Sequence, residues 1–497
     1  MDATNDLMAQ RRQKLESLRT KKVNPFRNEF QPTDTAAQVR ADPQEGRIVK
    51  IAGRMTSMRD MGKSLFCDIR DETDRMQVYA QRTAMGDEAF EIFKYLDLGD
   101  ILGVEGEVFT TKTGELSVKL KSFTILAKSM RPPPEKWHGL QDVEIRYRQR
   151  YLDLISNGEV RELFRNRSRI IWEMRNFLNH RNFMEVETPM MQAIAGGAAA
   201  KPFKTHHDAL GCDLFLRIAP ELYLKRLLVG GYERVYEINR NFRNEGISRR
   251  HNPEFTMLEV YQAYGNFETM MDLVEEMVPS IARKVFGTLN IKHATPHGAP
   301  EKIIHLEPPW ERKTYAELIS NAVSPDFMHW PTDKKKEKAQ QMGIKDVADL
   351  EDYEVVSQIF EKIIQPALIQ PVFVTHLPKE LVPLAKVSVD DPTTVDVFEL
   401  CMNGQEIAPG YSEQNDPIEQ RERLVSQIGH DIQNLDEDFL VALEHGMPPA
   451  GGMGIGIDRL IMMLTGAESI RDVILFPQLK PQTASNLPPL EIPEPRL

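Results

Sequence analysis

The sequence predicts an α+β chain, a small closed β-barrel followed by a larger domain of mixed strands and helices. Three observations carry this. Five short segments of period-two hydrophobicity fall within residues 48–126. A stiff proline-rich break, RPPPE at 131–135, follows them. Beyond it the period lengthens to that of a helix, with Leu163, Phe164, Ile170, Ile171, Met174, Phe177 and Leu178 on one face of residues 162–181.

The elements follow in order. Residues 5–20 pattern as an amphipathic helix with Met8, Leu15 and Leu18 on one side, ended by Asn24-Pro25. Residues 1–27 carry seven basic side chains against three acidic ones, which suits either a polyanion contact or a solvated, frayed helix. Residues 28–46 are polar turn formers and read as a linker, so 1–47 forms an N-terminal helix and linker. Strands are expected at Val49-Lys-Ile51, Leu65 to Ile69, Met76 to Tyr79, Ile101 to Phe109 and Leu116 to Leu126. KTGE at 112–115 is the turn between the last two, and residues 89–95 read as helix. Five short strands over 48–130 suggest a barrel of the OB type. Such barrels bind single-stranded nucleic acid with stacking aromatics and nearby basic groups. Phe66, Arg59 and Gln77 are placed for that, although alternation with Leu65 equally allows Phe66 to be core. Residues 131–150 read as a linker and 151–480 as the large domain, in which residues 183–189 form a strand ending at Pro189. Residues 322–352, with KKKEK at 334–338, read as an inserted helical excursion whose lysines form a solvated face. The proline-rich tail, 481–497, reads as disordered.

Composition bounds the function. Of 497 residues 41% are hydrophobic and 27% charged, which excludes wholesale disorder and collagen. No run approaches the roughly 20 consecutive apolar residues of a membrane span, so no membrane partner is expected. The polar start lacks the apolar core of a secretory signal. Three cysteines (Cys67, Cys212, Cys401) cannot make a disulfide framework, and the reading is cytoplasmic. A formal net charge of −12 excludes a uniformly basic nucleic-acid coat, and no DNA partner is expected.

Some motifs mislead. Gly62-Lys63-Ser64 resembles the end of a P-loop, but position 57 is Ser and the flanks are barrel strands. Gly452-x-Gly454-x-Gly456 lies too near the C-terminus for a dinucleotide fold. His206 and His207 point to opposite sides of a strand, with no cysteine partner for zinc.

Chemistry accumulates in three separated segments. FRNEGISRRHNPEFT at 242–256 lies between two apolar-periodic strands and forms a hairpin with a cationic loop. There Arg243 can grip a phosphate, Glu245 can accept from a base amino group and Phe255 can cover a flat ring. In FELCMNGQEIAPGYSEQND, two strands flanking Asn403-Gly404 would bring Glu399 and Glu406 to one side, with Glu413 nearby. Carboxylates meeting phosphates need a divalent cation between them, for which magnesium is suited; a solvated hairpin is the bland alternative. In GMGIGIDR at 452–459 the glycines form a strand-to-helix turn and Arg459 opens the helix, where a phosphate meets the helix dipole. Together they suit triphosphate chemistry.

With these motifs the chain resembles the class II aminoacyl-tRNA synthetases of the aspartyl/asparaginyl/lysyl subgroup, most closely the lysyl-tRNA synthetases. The long helix with residues 183–189 is similar to the dimer-forming first class motif, 242–256 to the second, 452–459 to the third, and the barrel to the anticodon-binding domain. RNEGIS at 243–248, RHNPEFT at 250–256 and GGAAA at 196–200 look like the lysyl branch. The resemblance implies a class II catalytic domain, an antiparallel sheet flanked by helices, and a homodimer. It implies an ATP-dependent lysine–tRNA ligase working on L-lysine, ATP and tRNA(Lys) with Mg2+. By the same resemblance Arg243 holds the α-phosphate and the amino-acid carboxylate, and Glu245 reads adenine. His251 and Asn252 belong to the ATP site, Phe255 stacks on the ring, and Arg459 meets the γ-phosphate and the ring's other face. Glu399 and Glu406 coordinate magnesium. Gly197, Glu221, Glu259, Tyr261, Tyr411 and Glu413 line the lysine pocket, beside Arg243. Arg59, Phe66, Gln77 and Glu115 meet the anticodon. Acids beside a Tyr ring suit a buried ammonium, whereas an aspartate pocket needs basic residues. Pro409 departs from the family, which usually has Asn there, so one polar contact to substrate is lost or supplied by water. A lysyl-adenylate-forming relative that modifies protein lysines and a non-catalytic RNA-binding homologue are the competing readings. The first typically lacks the barrel, and the second is disfavoured by the filled catalytic positions.

Overall fold

A computed structural model describes residues 3–133, 140–198, 200–294, 301–428 and 435–481. The tail beyond 481, positions 134 and 135 of the proline break, and Ala199 lie outside these. Two compact units emerge: Met1–Asp142 with Tyr151–Asn157, and Val143–Arg150 with Gly158–Leu497.

In the first unit, helix α1 (Ala3–Thr20) and short helix α2 (Ala36–Ala41) precede β1 (Ile48–Asp60), β2 (Ser64–Arg70), β3 (Arg75–Gln81), β4 (Ile101–Thr110) and β5 (Leu116–Ala127). These five strands close in the order β1-β2-β3-β5-β4, with β4 returning to β1, so every strand edge is paired. Alternation sends Val49, Ile51, Leu65, Cys67, Val78, Val104 and Val118 inward. Residues 28–46 differ from the expected linker. Thr35 and Gln38 form a capping box on α2, Val39 is fully buried, and the Phe30 ring covers Gly103, where any Cβ would collide with it. The N-terminal helix is neither frayed nor a free cationic arm. Leu18 joins the barrel core, Arg11 donates to the carbonyls of Leu98 and Ser129, and Lys14 pairs with Asp97 at 2.6 Å. Asp97 and Asp100 also hold the fully buried Lys128.

The second unit contains α3 (Gly158–Asn179), β6 (Met184–Glu185), α4 (Glu221–Val229), β7 (Arg234–Phe242), β8 (Glu254–Ala263) and α5 (Phe267–Phe286). It continues with β9 (Glu311–Thr314), β10 (Val372–Thr375), β11 (Val397–Met402), β12 (Gln405–Ser412), β13 (Ala450–Gly456) and α6 (Ile457–Thr465). The sheet runs β9-β10-β11-β12-β13-β8-β7-β6. Its centre is antiparallel, but β6/β7 and β9/β10 are parallel, so the sheet is mixed rather than antiparallel throughout. β6 is shorter than the strand expected over 183–189; Val186 makes the last backbone bond to β7, before Pro189, which has no N–H to give.

Strand alternation divides this sheet into a core face and a working face. On β8, Leu258 and Val260 pack with Met270, Val274 and Met277 of α5, while Met257, Glu259 and Tyr261 point the other way. Residues 322–352 contribute Phe327, Ala339, Ile344 and Val347 to a core shared with Val372 and Val374. Lys335 is therefore not solvated: its side chain is 3% exposed and pairs with Asp352 at 2.7 Å. Nor is the stretch after the proline break merely a linker, since Val143–Arg148 is helical and Tyr147 donates to Asp472 at 2.8 Å. No described helix is long and apolar enough to cross a membrane.

Because Leu18 is wholly enclosed, Leu18→Ala should cost about 2–5 kcal/mol in stability. Urea unfolding followed by circular dichroism is the check, and a change under half that size would mean α1 is not part of the barrel core.

Candidate active site

The β7–β8 hairpin places the cationic loop at one end of the working face. Arg243 N–H bonds to Pro253 O at 2.8 Å and closes the loop, and Asn244 N–H reaches Lys201 O at 2.7 Å. The Arg243 guanidinium lies 5.2 Å from the centre of the Phe255 ring. Its Nε is buried with no acceptor among the described residues, a donor left for an anion.

Arg459 is the third residue of α6, and Gly456 caps that helix. Its guanidinium donates to Glu406 O at 3.2 Å and to His251 Nε2 at 3.1 Å. Burial, and then the Arg459 charge, hold the His251 imidazole below its ordinary pKa, so the neutral ring accepts that bond. Asp458, which the sequence reading passed over, anchors this arrangement. Its carboxylate accepts from Arg167 on α3 at 2.6 Å and from Thr256 N–H on β8 at 2.8 Å.

Glu399 and Glu406 share one face of the β11–β12 hairpin. Asn403 and Gly404, with φ of 54° and 72°, form the tight turn their identities suggest. Glu406 stands opposite Cys401, and Glu399 is two residues back along the same strand. A bulge at Ile407 then sets Pro409 opposite Glu399. The ladder between β12 and β13 covers only Gly410–Ser412, so the absent Pro409 N–H breaks no bond there. Burial, then Glu406 and Glu361, push the Glu399 carboxyl up to about 8. Two like charges that disfavour each other's ionisation fit an oxygen-binding divalent cation. Among the described residues no three His, Cys, Asp or Glu side chains form a complete metal cage, so other oxygens would finish the coordination.

These segments meet. One cleft is lined by Arg243, Glu245, His251, Asn252, Phe255, Glu406, Pro409 and Arg459. An adjoining chamber is lined by Glu399 and shares Arg250, His251, Glu406 and Arg459 with the cleft. Asn252 is anchored within the protein, its amide donating to Glu254 O and accepting from Gln478 N–H. Arg250, also missed, donates to Gly404 O at 3.0 Å and lies close enough to Arg459 to lose pKa, after burial, to that charge.

The expected amino-acid pocket forms a second acidic group. Glu221, Glu259 and Glu413 are 5%, 4% and 1% exposed. Tyr411 OH donates to Glu221 at 2.7 Å and Tyr261 OH to Glu259 at 3.0 Å. Gly197, at φ +86°, lies against the Glu221 stem. Gly452 must lack a side chain because a Cβ would overlap Glu413 Oε1 and the Tyr261 ring. Gly452 and Gly454 thus lie within β13 rather than in a strand-to-helix turn, and only Gly456 stands at the junction with α6. Within this group stands a residue the sequence reading did not single out, Lys225, paired with both Glu221 and Glu413.

On the barrel, Phe66 faces outward rather than into the core. Its ring lies 4.7 Å from Tyr79, which in turn lies 5.9 Å from Phe109. Exposed Arg59 stands opposite Phe66 across β1 and β2. Gln77 is buried and accepts from Ser117 Oγ, while Glu115 is held by Arg75 at 2.8 Å.

Residues 142–480 match the family described as tRNA synthetases class II (D, K and N), and residues 49–126 match the OB-fold nucleic acid binding domain. The chain is 52% identical over 489 residues to the lysine–tRNA ligase of Pelotomaculum thermopropionicum, covering 96% of each. It is 50% identical over 487 residues to that of Carboxydothermus hydrogenoformans, covering 96% of this chain and 99% of the other. The lysine–tRNA ligase of Staphylococcus haemolyticus is 47% identical over 495 residues, at 96% and 99% coverage.

Burial, then Glu221, raises the Glu259 carboxyl to about 8. A carboxyl whose folded pKa exceeds its unfolded value keeps its proton in the native state, so it costs stability as pH rises from about 4.5 to 8. Glu259→Gln should therefore raise the melting temperature of the ligand-free protein more at pH 8.5 than at pH 5. Calorimetry at both values tests this, and a gap that does not widen would refute the buried, proton-holding state.

Proposed function

The chain belongs to the class II tRNA synthetases of the D, K and N group, and from that premise we propose that it joins L-lysine to tRNA(Lys) at the expense of ATP. The observation that carries this reading is the meeting of Arg243, Glu399 and Arg459 around linked cavities, next to the buried acids Glu221, Glu259 and Glu413. Cationic groups suit a triphosphate, and buried acids suit a substrate bearing ammonium groups.

A lysine carboxylate oxygen attacks the α-phosphorus, the bond to pyrophosphate breaks, and lysyl-adenylate forms. The 3′ hydroxyl of the tRNA then attacks the acyl carbon and AMP leaves. Positioning and charge stabilisation do this work, with no covalent protein nucleophile. Arg243 is assigned the α-phosphate and the substrate carboxylate, a role its unpartnered Nε supports. Glu245 is assigned the adenine amino group and Phe255 the ring face, which leaves Arg459 and neutral His251 for the outer phosphates. Asn252 supports the floor of that cleft. Glu399 and Glu406 would hold Mg2+, which when bound offsets phosphate charge. Gly197, Tyr261, Tyr411 and Glu413 complete the lysine pocket with Glu221 and Glu259. Pro409 gives the substrate an apolar wall where an amide would give a hydrogen bond.

The outward row of Phe66 and Tyr79, with Arg59, is the surface we assign to the anticodon; Gln77 and Glu115 border it. The domain limits inferred from the sequence, 48–130 and 151–480, frame these two activities. A cytoplasmic homodimer is the working assembly, and Trp172 on α3, 61% exposed, with Met184 on β6, 39% exposed, offers an apolar surface for it. The OB barrel favours this reading over a protein-lysylating relative, and charging of deacylated tRNA separates the two.

ATP–pyrophosphate exchange across the twenty amino acids should respond to lysine above all others, and preference for a different amino acid would overturn the substrate. Arg459→Ala should lower lysine-dependent exchange by at least about a hundredfold, the scale of losing one transition-state charge contact. Near-normal exchange would remove Arg459 from the site.

A further inference from the structure

Lys225 sits four residues after Glu221 on α4, a spacing that on a surface helix makes a weak exposed pair. Here its side chain is fully enclosed. Its ammonium lies 2.7 Å from Glu221 Oε1, in ion-pair contact with Glu413 Oε2, and 5.6 Å from the centre of the Tyr411 ring. The same Glu221 oxygen accepts the Tyr411 hydroxyl. Glu413 Oε1, on the far side of that carboxylate, has no donor among the described residues and faces the space kept open by Gly452. The cluster thus holds three enclosed carboxylates and one resident cation; the nearby Arg217 is already paired with Glu237 at 2.7 Å.

We propose that Lys225 is a positioning residue for substrate selection. It supplies the counter-charge that Glu221 and Glu413 share and orients both, and so presents Glu413 Oε1 to the ammonium of an incoming amino acid. This rests on the reading of the pocket as the lysine site. Once binding displaces the Glu259 proton, three carboxylates against one internal ammonium leave a deficit of two positive charges, which a diamino acid supplies while its carboxylate turns to Arg243. An amino acid with a neutral side chain supplies one and leaves a buried charge unmatched.

The groups facing Lys225 and its partners are Glu221 from α4, Tyr411 from β12 and Glu413 just beyond it, Glu259 and Tyr261 from β8, and the Arg217–Glu237 pair. Burial works against the Lys225 charge, but Glu221 and then Glu413 outweigh it and hold its pKa above the ordinary value. Without that ammonium the carboxylates it pairs would lie in a dry space with no counter-charge and take up protons, as Glu259 does already. Substrate binding would then have to expel them, which makes affinity depend more steeply on pH.

The test is lysine-dependent ATP–pyrophosphate exchange by the full chain, as wild type, Lys225→Met and Lys225→Arg, at pH 6.5, 7.5 and 8.5. For Lys225→Met the expected result is a KM for lysine at least tenfold higher at pH 7.5, with kcat changed far less. That KM should fall with rising pH more steeply than in wild type, approaching about tenfold per unit for each proton expelled. Lys225→Arg keeps the charge but overfills the space, so KM rises without the added pH slope. A wild-type KM in Lys225→Met, or a rise by one constant factor at every pH, overturns the proposal. If Lys225→Met does not fold, judged by its melting curve and by ATP binding without lysine, Lys225→Arg decides: a wild-type KM or a steeper pH slope overturns it. Failure of the wild type to respond to lysine at all would instead remove the underlying reading of the pocket.

Discussion

Buried carboxylates that repel one another set the terms for the large unit of this protein. Glu399 and Glu406 share one chamber, with Glu361 close by, and Glu221, Glu259 and Glu413 form a second buried group. A fold tolerates such crowding only where protons, cations or ligands relieve it. The surrounding construction answers that need. The working face of the sheet brings β8, β12 and β13 side by side, so acids far apart in the chain converge. Close approach at Gly452 and the resident Lys225 then hold them at usable distances. Storage of unfavourable electrostatics in the free protein leaves both groups disposed to accept cations.

Much of the barrel is legible from residues alone, because one buried face imposes strict alternation on β1 to β5. The cationic hairpin and the Asn-Gly turn are legible for a similar local reason. What could not be read depends on tertiary contact. The stretch over 28–46 has the composition of a linker, yet Phe30 and Val39 are claimed by the barrel. Lys335 belongs to a run that looks solvated, and only the fold brings Asp352 to it.

The site shows the same division. Its cationic end is carried by arginines in recognisable strings. Lys225 had only one local signal, its spacing from Glu221, and that signal does not reveal burial. Asp458 was overshadowed by its neighbour Arg459, although it is Asp458 that ties α6 to β8 and α3. Residues that touch ligands tend to announce themselves by type; residues that hold those in place are known only from their partners.

The extra residue at Ile407 has a consequence for how this enzyme can vary. Glu406 lies on the turn side of it and Tyr411, with Glu413 just past the strand end, on the other, so one strand serves both acidic groups with a break in pairing between them. Each half therefore takes its alignment from a different neighbour: the first from β11, the second from β13 as well. Substitutions beyond the break can accumulate without shifting Glu406, and Pro409, sitting in that seam, is a natural experiment in such freedom.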